Sequence, residues 1–367
     1  MQSGKPSYGD GASAVVAQTP CRADLAGSTL DLWPLYLFHP GAVTVNFAVN
    51  IMTTCRITPV KGQTIHFRSL DTRREEKFAS LDELRRAKSF KHPIGGWLTK
   101  FFAPESGFVL ETHSQSPAGA GIAGSSALMI ATTAAMAKFS GRKLSKEEMR
   151  VIAQNVEAQI INVPTGCQDY YPALYGGASA VRLDADGIRR QDIPVAADEI
   201  NERFLLVYTG APRQSGINNW EVFKAHIDGE KKVVRNFEQI SQISRAMHAA
   251  LLKQDWSEVA RLLREEWKLR RANYKNISTP LLDRLVAVAR KNGGRAAKVC
   301  GAGGGGCAVF MVKEGAKQRV ADALRTNGGQ VLAFSVEPNG LTVTTPKAGT
   351  ADALAARAKA SALAAGK

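Results

Sequence analysis

Residues 116–127 read SPAGAGIAGSSA, a glycine-rich stretch with two adjacent serines just ahead of an apolar run of helical spacing. Such a loop suits a phosphate. Glycine lets the backbone come close to a ligand because no Cβ stands in the way. The free N–H groups of a following helix, with its dipole, favour an anion there. Ser125 and Ser126 add hydroxyls for a phosphate or for Mg²⁺. The stretch lacks the lysine of the nucleotide loop G-x-x-x-x-G-K-[ST], so neutralising charge has to come from a metal and from groups elsewhere. The plainer alternative is a Gly/Ala-rich turn with a serine capping the helix. Further along, Asp169 in GCQDYYPAL is a carboxylate that could take a proton from a hydroxyl beside it, its plainer alternative being a helix cap.

These residues need elements to hold them. The spacing predicts strands at 42–49, 55–60, 64–69 and 107–114, the last leading straight into the loop. A helix is expected at 80–90, capped by Ser80 with Glu83 three residues on. Helices at 127–141 and 144–161 follow, the second with Ser145 and Glu148 as a capping box. A hairpin turns at 184–187, and the polar stretch 196–202 marks a boundary ahead of a strand at 203–209. The second half reads as helices around 218–275 and 279–292, a glycine loop within 297–312, a helix at 315–328, and strands at 330–337 and 340–345. Segments 1–17 and 346–367 carry few bulky apolar residues and read as loose ends. The pattern is α+β in two domains, 18–200 and 201–345.

The formal net charge of +15 raises the question of a nucleic-acid partner, but there is no long basic run and no basic motif interleaved with aromatics. Basic residues are spread from TRREEK (72–77) to KLRRANYK (268–275), which fits a solvated surface favouring a small anionic substrate. Five scattered cysteines without a C-x-x-C argue against a disulfide framework or a zinc site and fit a reducing cytoplasm. No apolar run approaches the ~20 residues of a spanning helix, so no membrane partner is expected.

With its proline, glycines and Ser-Ser-Ala, the 116–127 loop resembles the second signature of the GHMP small-molecule kinase superfamily. PCRADLAGSTLDLWPLY (20–36) resembles the first signature, an Arg, a Gly and an Asp on a strand–loop element. KVCGAGGGGCAVFMV (298–312) resembles the third, a glycine loop between helix and strand. The three motifs occur in the family's order, and the resemblance spans about 19–345. Within the superfamily, GIAGSSALMIA, QDYYPALYGG (168–177) and VYTGAPRQS (207–215) are similar to the sugar-1-kinases that act on heptose 7-phosphate. GSTLDLWPLY (27–36) departs from that branch, which usually has more glycines before its Asp.

The resemblance implies a role for each residue. Pro117, Gly119, Gly121, Gly124, Ser125, Ser126 and Ala127 would bind ATP, and Ser126 with Glu157 would hold Mg²⁺. Asp169 and Arg22 would be catalytic, the guanidinium lying near the transferred phosphoryl group and holding Asp169 ionised. Asp31, Arg213, Gly303 and Gly304 would bind the acceptor, Arg213 being suited to a sugar phosphate. For Glu157 a solvated helix-face charge is the plainer alternative, for Arg22 a surface salt bridge, for Asp31 a helix cap, and for the glycines a tight connection. The implied fold pairs an N-terminal domain like the second domain of ribosomal protein S5 with a ferredoxin-like C-terminal domain. The implied activity moves the γ-phosphoryl group of MgATP to a sugar, in a cytoplasmic monomer or homodimer. A kinase for a neutral sugar and a non-catalytic ATP/sugar sensor are the rival readings.

Overall fold

The computed structural model describes residues 13–210 and 217–346. The chain opens with β1 (Val15–Ala26), a 3-10 turn at Leu35–Phe38, β2 (Ala42–Pro59), β3 (Ile65–Ser69) and β4 (Arg74–Phe78). Next come α1 (Leu81–Arg86), α2 (Pro93–Phe102), β5 (Phe108–Ser114), α3 (Gly124–Phe139), α4 (Lys146–Ile161) and α5 (Tyr170–Tyr175). β6 (Ala178–Asp184), β7 (Gly187–Ile193) and α6 (Ala197–Arg203) close this half. β1 begins inside the 1–17 segment that composition marks as loose, because Val15, Val16 and Ala17 are buried against β2. β2 is one strand where two are expected. Its first half pairs with β6, its second with β5, and β1 runs along the other edge, so the chain never has to leave the sheet. α2 is not among the elements read from the sequence; Pro93 starts it, and His92 caps it by accepting from the Gly95 N–H. The Ser145–Glu148 capping box of α4 forms as expected.

The second half comprises β8 (Phe204–Tyr208), α7 (Ile217–Ile227), α8 (Lys231–Leu252), α9 (Trp256–Asn273), α10 (Pro280–Asn292) and β9 (Gly294–Val299). β10 (Cys307–Val312), α11 (Lys317–Thr326), β11 (Gln330–Leu332) and β12 (Thr342–Thr344) complete it. The sheet order β11-β8-β10-β9, antiparallel throughout, is the ferredoxin-like arrangement that the resemblance implies. Two features depart from the sequence reading. The third glycine motif joins two strands, β9 and β10, rather than a helix and a strand. β12 pairs with β1 in the first, eight-stranded sheet, so the chain returns to the N-terminal half. Among the described residues no helix is long and apolar enough to cross a membrane.

The halves share their interior. Leu30, Leu35 and Tyr171 from the first half pack in one cluster with Phe237, Leu285 and Phe310 from the second. Beside it, Lys298 of β9 is fully buried and donates Nζ to Asp24 of β1 and, at 2.8 Å, to Glu266 of α9. Burial opposes ionisation of Asp24, but Lys298, Arg22 and Arg270 outweigh it and hold that carboxyl below its ordinary range. Glu266 is pushed up by burial, against the pull of Lys298. Asp24 also accepts from Ser28 Oγ at 2.6 Å, and Glu266 accepts from the Gly27 N–H at 3.1 Å, so the network grips the turn after β1.

Removing one partner of such a network strands the others without compensation. Lys298→Met is expected to destabilise the protein by about 3–5 kcal/mol in chemical denaturation. Neutralising the partners as well, with Asp24→Asn and Glu266→Gln, is expected to recover more than half of that loss. No recovery would mean that the lysine acts by packing rather than by charge.

Candidate active site

The loop after β5 delivers the chain to α3, which starts at Gly124, earlier than the sequence suggests. Ser125 and Ser126 therefore sit in the first helical turn. The residue before the helix is Ala123, at φ +63°, and no side chain caps the first-turn amides. The serine-cap alternative is thus not what forms. The amides stay available for an anion, with the positive end of the helix dipole behind them. Holding an alanine in the left-handed region costs roughly 1 kcal/mol or more, a strain typical of binding loops.

A cavity of about 480 Å³ opens at this helix start, within the range of small-molecule sites. Pro117, Gly119, Gly121, Gly124, Ser125 and Ser126 line it, together with Arg22, Asp31, Glu157 and Asp169. Ala127 does not: it is wholly buried, and its carbonyl accepts from the Thr19 hydroxyl in the core. Gly303 and Gly304 are also turned away from the cavity. An added Cβ at Gly303 would stand 2.5 Å from the Ile277 carbonyl, to which the Gly304 N–H donates; Gly301 and Ala302 form the wall instead. Arg213 lies outside the described residues.

Arg22 is the centre of the site. Two bulges flank the Cys21–Asp24 stretch of β1 and re-aim its side chains. The Arg22 guanidinium donates Nε and Nη2 to Asp169 Oδ1 at 2.9 and 2.7 Å, and Nη1 to the carbonyls of Gly121 and Cys300 at 2.9 and 2.6 Å. It thereby ties its own motif to the other two and to Asp169. This is no surface salt bridge, because Arg22 is buried while Asp169 keeps partial exposure toward the cavity. Nor does Asp169 cap α5, which has no side-chain cap. Both Arg22 bonds fall on Oδ1, and among the described residues no donor takes Oδ2.

Glu157 is buried, on the inner face of α4. It accepts from Ser125 Oγ at 2.9 Å and Tyr170 Oη at 2.7 Å, and Ser126 bonds to it as well. Burial raises its pKa despite these three hydroxyls, and the nearby Asp169 charge adds to the rise. A costly buried carboxylate beside serine hydroxyls and uncapped amides fits a hard divalent cation such as Mg²⁺, which takes few protein ligands and fills the rest from phosphates and water. Among the described residues no group of three acidic, histidine or cysteine side chains offers a fuller metal cage.

Asp31 accepts from the Gln168 N–H at 3.0 Å, beside Asp169 in sequence. The approach is close. A Cβ on Gly166 would stand 2.0 Å from Asp31 Oδ2, so only glycine fits there. Burial, with the Asp169 charge adding to it, pushes the Asp31 carboxyl up to about 6. The third motif docks on the second through Cys307 N–H to the Ala120 carbonyl at 2.6 Å. Gly306, at φ +76°, permits this, since its Cβ would lie 2.7 Å from that oxygen.

Sequence reasoning missed Arg270, Thr29 and Asn219, which also line the cavity. Arg270 falls in the KLRRANYK stretch read as solvated surface, yet it is buried and donates to Ser28 O, Thr29 Oγ1 and Gly301 O. A signal was present: Leu263, Glu266, Trp267 and Arg270 recur at helical spacing, on the buried face of α9.

A carboxyl whose folded pKa is raised stabilises the fold only while protonated. Its contribution is complete below the unfolded value of about 4 and is lost as pH rises through the folded value of about 6. Asp31→Asn is therefore expected to stabilise the fold at pH 8, by on the order of 2–3 kcal/mol at most and seen as a higher melting temperature, with the gain vanishing toward pH 4. Melts across that range check it; a gain independent of pH would contradict the assignment.

Known proteins bear on this geometry. The chain matches the GHMP kinases N terminal domain over residues 87–177 and the GHMP kinases C terminal domain over 247–330. It is 27% identical over 333 residues to a D-glycero-alpha-D-manno-heptose 7-phosphate kinase of Campylobacter jejuni, covering 88% of this chain and 97% of that one. A D-glycero-D-manno-heptose 1-phosphate kinase from Bacteroides thetaiotaomicron superposes with a TM-score of 0.73 at 22% identity, over 91% of this chain and 100% of the other. Lactococcus lactis galactokinase, complexed with galactose, does so with a TM-score of 0.75 at 17% identity, over 90% and 95% of the two chains. At these identities the structural likeness speaks to the fold.

Proposed function

This chain belongs to the GHMP kinase family and is a phosphotransferase with a hydroxyl acceptor, and from that premise we propose that it moves the γ-phosphoryl group of ATP to the anomeric hydroxyl of D-glycero-D-manno-heptose 7-phosphate. The product would be the 1,7-bisphosphate, a precursor for nucleotide-heptose and surface-glycan (capsule) synthesis. The observation that carries the reading is the Arg22 guanidinium, which gathers Asp169 and the two glycine loops around one cavity. The similarity to the Campylobacter jejuni heptose 7-phosphate kinase supports this choice of acceptor.

In this reading the loop Pro117–Ser126 and the amides of the first turn of α3 cradle the ATP phosphates. Glu157 and Ser126 hold Mg²⁺, which when bound offsets phosphate charge as the missing lysine would. Asp169 Oδ2 faces the acceptor and takes the proton of its hydroxyl as that oxygen bonds to the γ-phosphorus and the β–γ bridge opens. Arg22 holds Asp169 by its Oδ1 and adds positive charge near the transferred group. Asp31 accepts from sugar hydroxyls, and Arg213 holds the sugar phosphate.

An ADP-release assay tests the proposal with heptose 7-phosphate against galactose, mannose and mevalonate. Heptose 7-phosphate is expected to give the highest kcat/KM; equal turnover of the unphosphorylated sugars would make this a neutral-sugar kinase instead. Asp169→Asn is expected to lower kcat by roughly 10²–10⁴ while nucleotide affinity holds. Arg213→Ala is expected to raise the KM of the phosphorylated acceptor and leave that of ATP unchanged.

A further inference from the structure

Thr29 has φ +77°. A β-branched residue in the left-handed region is strained, where glycine would sit freely. The backbone thus keeps a glycine-like conformation with threonine in place, and the hydroxyl is what threonine adds.

That hydroxyl has a fixed polarity. A guanidinium only donates, so Arg270 Nη2 gives its proton to Thr29 Oγ1 at 3.2 Å. The threonine proton then goes on to Asn219 Oδ1, at 3.1 Å. The Asn219 amide has its oxygen toward Thr29, so its Nδ2 donors are directed elsewhere. Thr29, Asn219 and Arg270 line the same cavity as Asp31 and Asp169, and no described residue accepts from Asn219 Nδ2. The anchor is firm. Arg270 is buried and its other bonds go to the carbonyls of Ser28 and Gly301, while Glu266, one turn earlier on α9, takes the Gly27 N–H.

We propose that Thr29 and Asn219 are the specificity-determining pair of the acceptor site, presenting the Asn219 amide to a phosphate oxygen carried by the acceptor away from its reacting hydroxyl. The inference rests on the kinase reading above and names the described side chains that would meet the non-reacting phosphate. Asp31 and Asp169 suit hydroxyls because ionised carboxylates accept protons; Nδ2 can only donate. A phosphate oxygen brings lone pairs and no proton. A hydroxyl oxygen can also accept from Nδ2, but it is uncharged and gains nothing from the Arg270 guanidinium behind Thr29, whereas a phosphate oxygen does. The bonds of Arg270 all go to neutral oxygens, so its charge adds to the attraction for an anion.

The test compares kcat/KM on matched acceptors, heptose 7-phosphate with heptose and mannose 6-phosphate with mannose, for the wild type, Thr29→Gly and Asn219→Asp. The wild type is expected to favour the phosphorylated member, and both substitutions to shrink that preference at least about tenfold. Thr29→Gly relieves backbone strain, so its melting temperature is expected to hold or rise while the preference falls, an outcome that a purely structural role would not produce. Asn219→Asp keeps the acceptor for the Thr29 hydroxyl and places a carboxylate against the phosphate. A wild type that prefers the unphosphorylated member, or takes neither member of either pair, overturns the inference. So do variants that lose activity equally on both members, or whose preference stays within about threefold of the wild type. Turnover of mannose 6-phosphate without heptose 7-phosphate would sink the heptose assignment alone, and the mannose pair would still decide this inference.

Discussion

The Arg22 guanidinium is the constraint around which the molecule is arranged. Gly121, Asp169 and Cys300, which lie 99, 147 and 278 residues along the chain from it, end as hydrogen-bond partners of one buried side chain. A guanidinium has five donors in a rigid fork and no acceptor capacity, so it can gather carbonyls and a carboxylate only in a narrow set of directions. That demand reaches outward. The bulges of β1, the early start of α3 and the docking of Cys307 on Ala120 are what bring the partners within reach.

Placing such a charge inside a protein is costly unless the surroundings compensate it. Compensation comes in alternation, as Glu266, Lys298, Asp24, Arg22 and Asp169 follow one another as acid and base from α9 to the cavity. Asp24 acts on Arg22 without touching it, two residues along the same strand. The interface between the two halves is therefore not a neutral hinge. It carries the charges that hold the Asp169 end of the cavity in order. The strained backbones of Thr29 and Ala123 lie along the same surface, where local preference gives way to the needs of a site.

Legibility in the sequence followed the range of the interactions involved. The α4 capping box, the β6–β7 hairpin and the 116–127 loop are local patterns, and they form where their residues predict. β2 was readable only in halves, because its continuity depends on β5 and β6, which lie far along the chain. Ala127 belongs to the right motif but points into the core, since one step along a helix turns the side chain by about 100°. Gly303 and Gly304 illustrate the same limit in a loop, where composition marks flexibility but not direction. Arg270 looked like surface because it stands in a basic run, and only its register with Glu266 and Trp267 says otherwise.

The sequence by itself determined the α+β class, the order of the motifs and their resemblance to the GHMP kinases, because these are written in residue types at short spacing. Only the tertiary structure decided which glycines face the cavity, that β12 returns to the first sheet, and that Lys298 is buried between two acids. It also set which way the proton of Thr29 points. The physical reason is that hydrogen-bond direction and burial belong to pairs of groups. The partners here, Thr29 with Asn219 and Arg22 with Cys300, are 190 and 278 residues apart and meet only when the two halves close on one core.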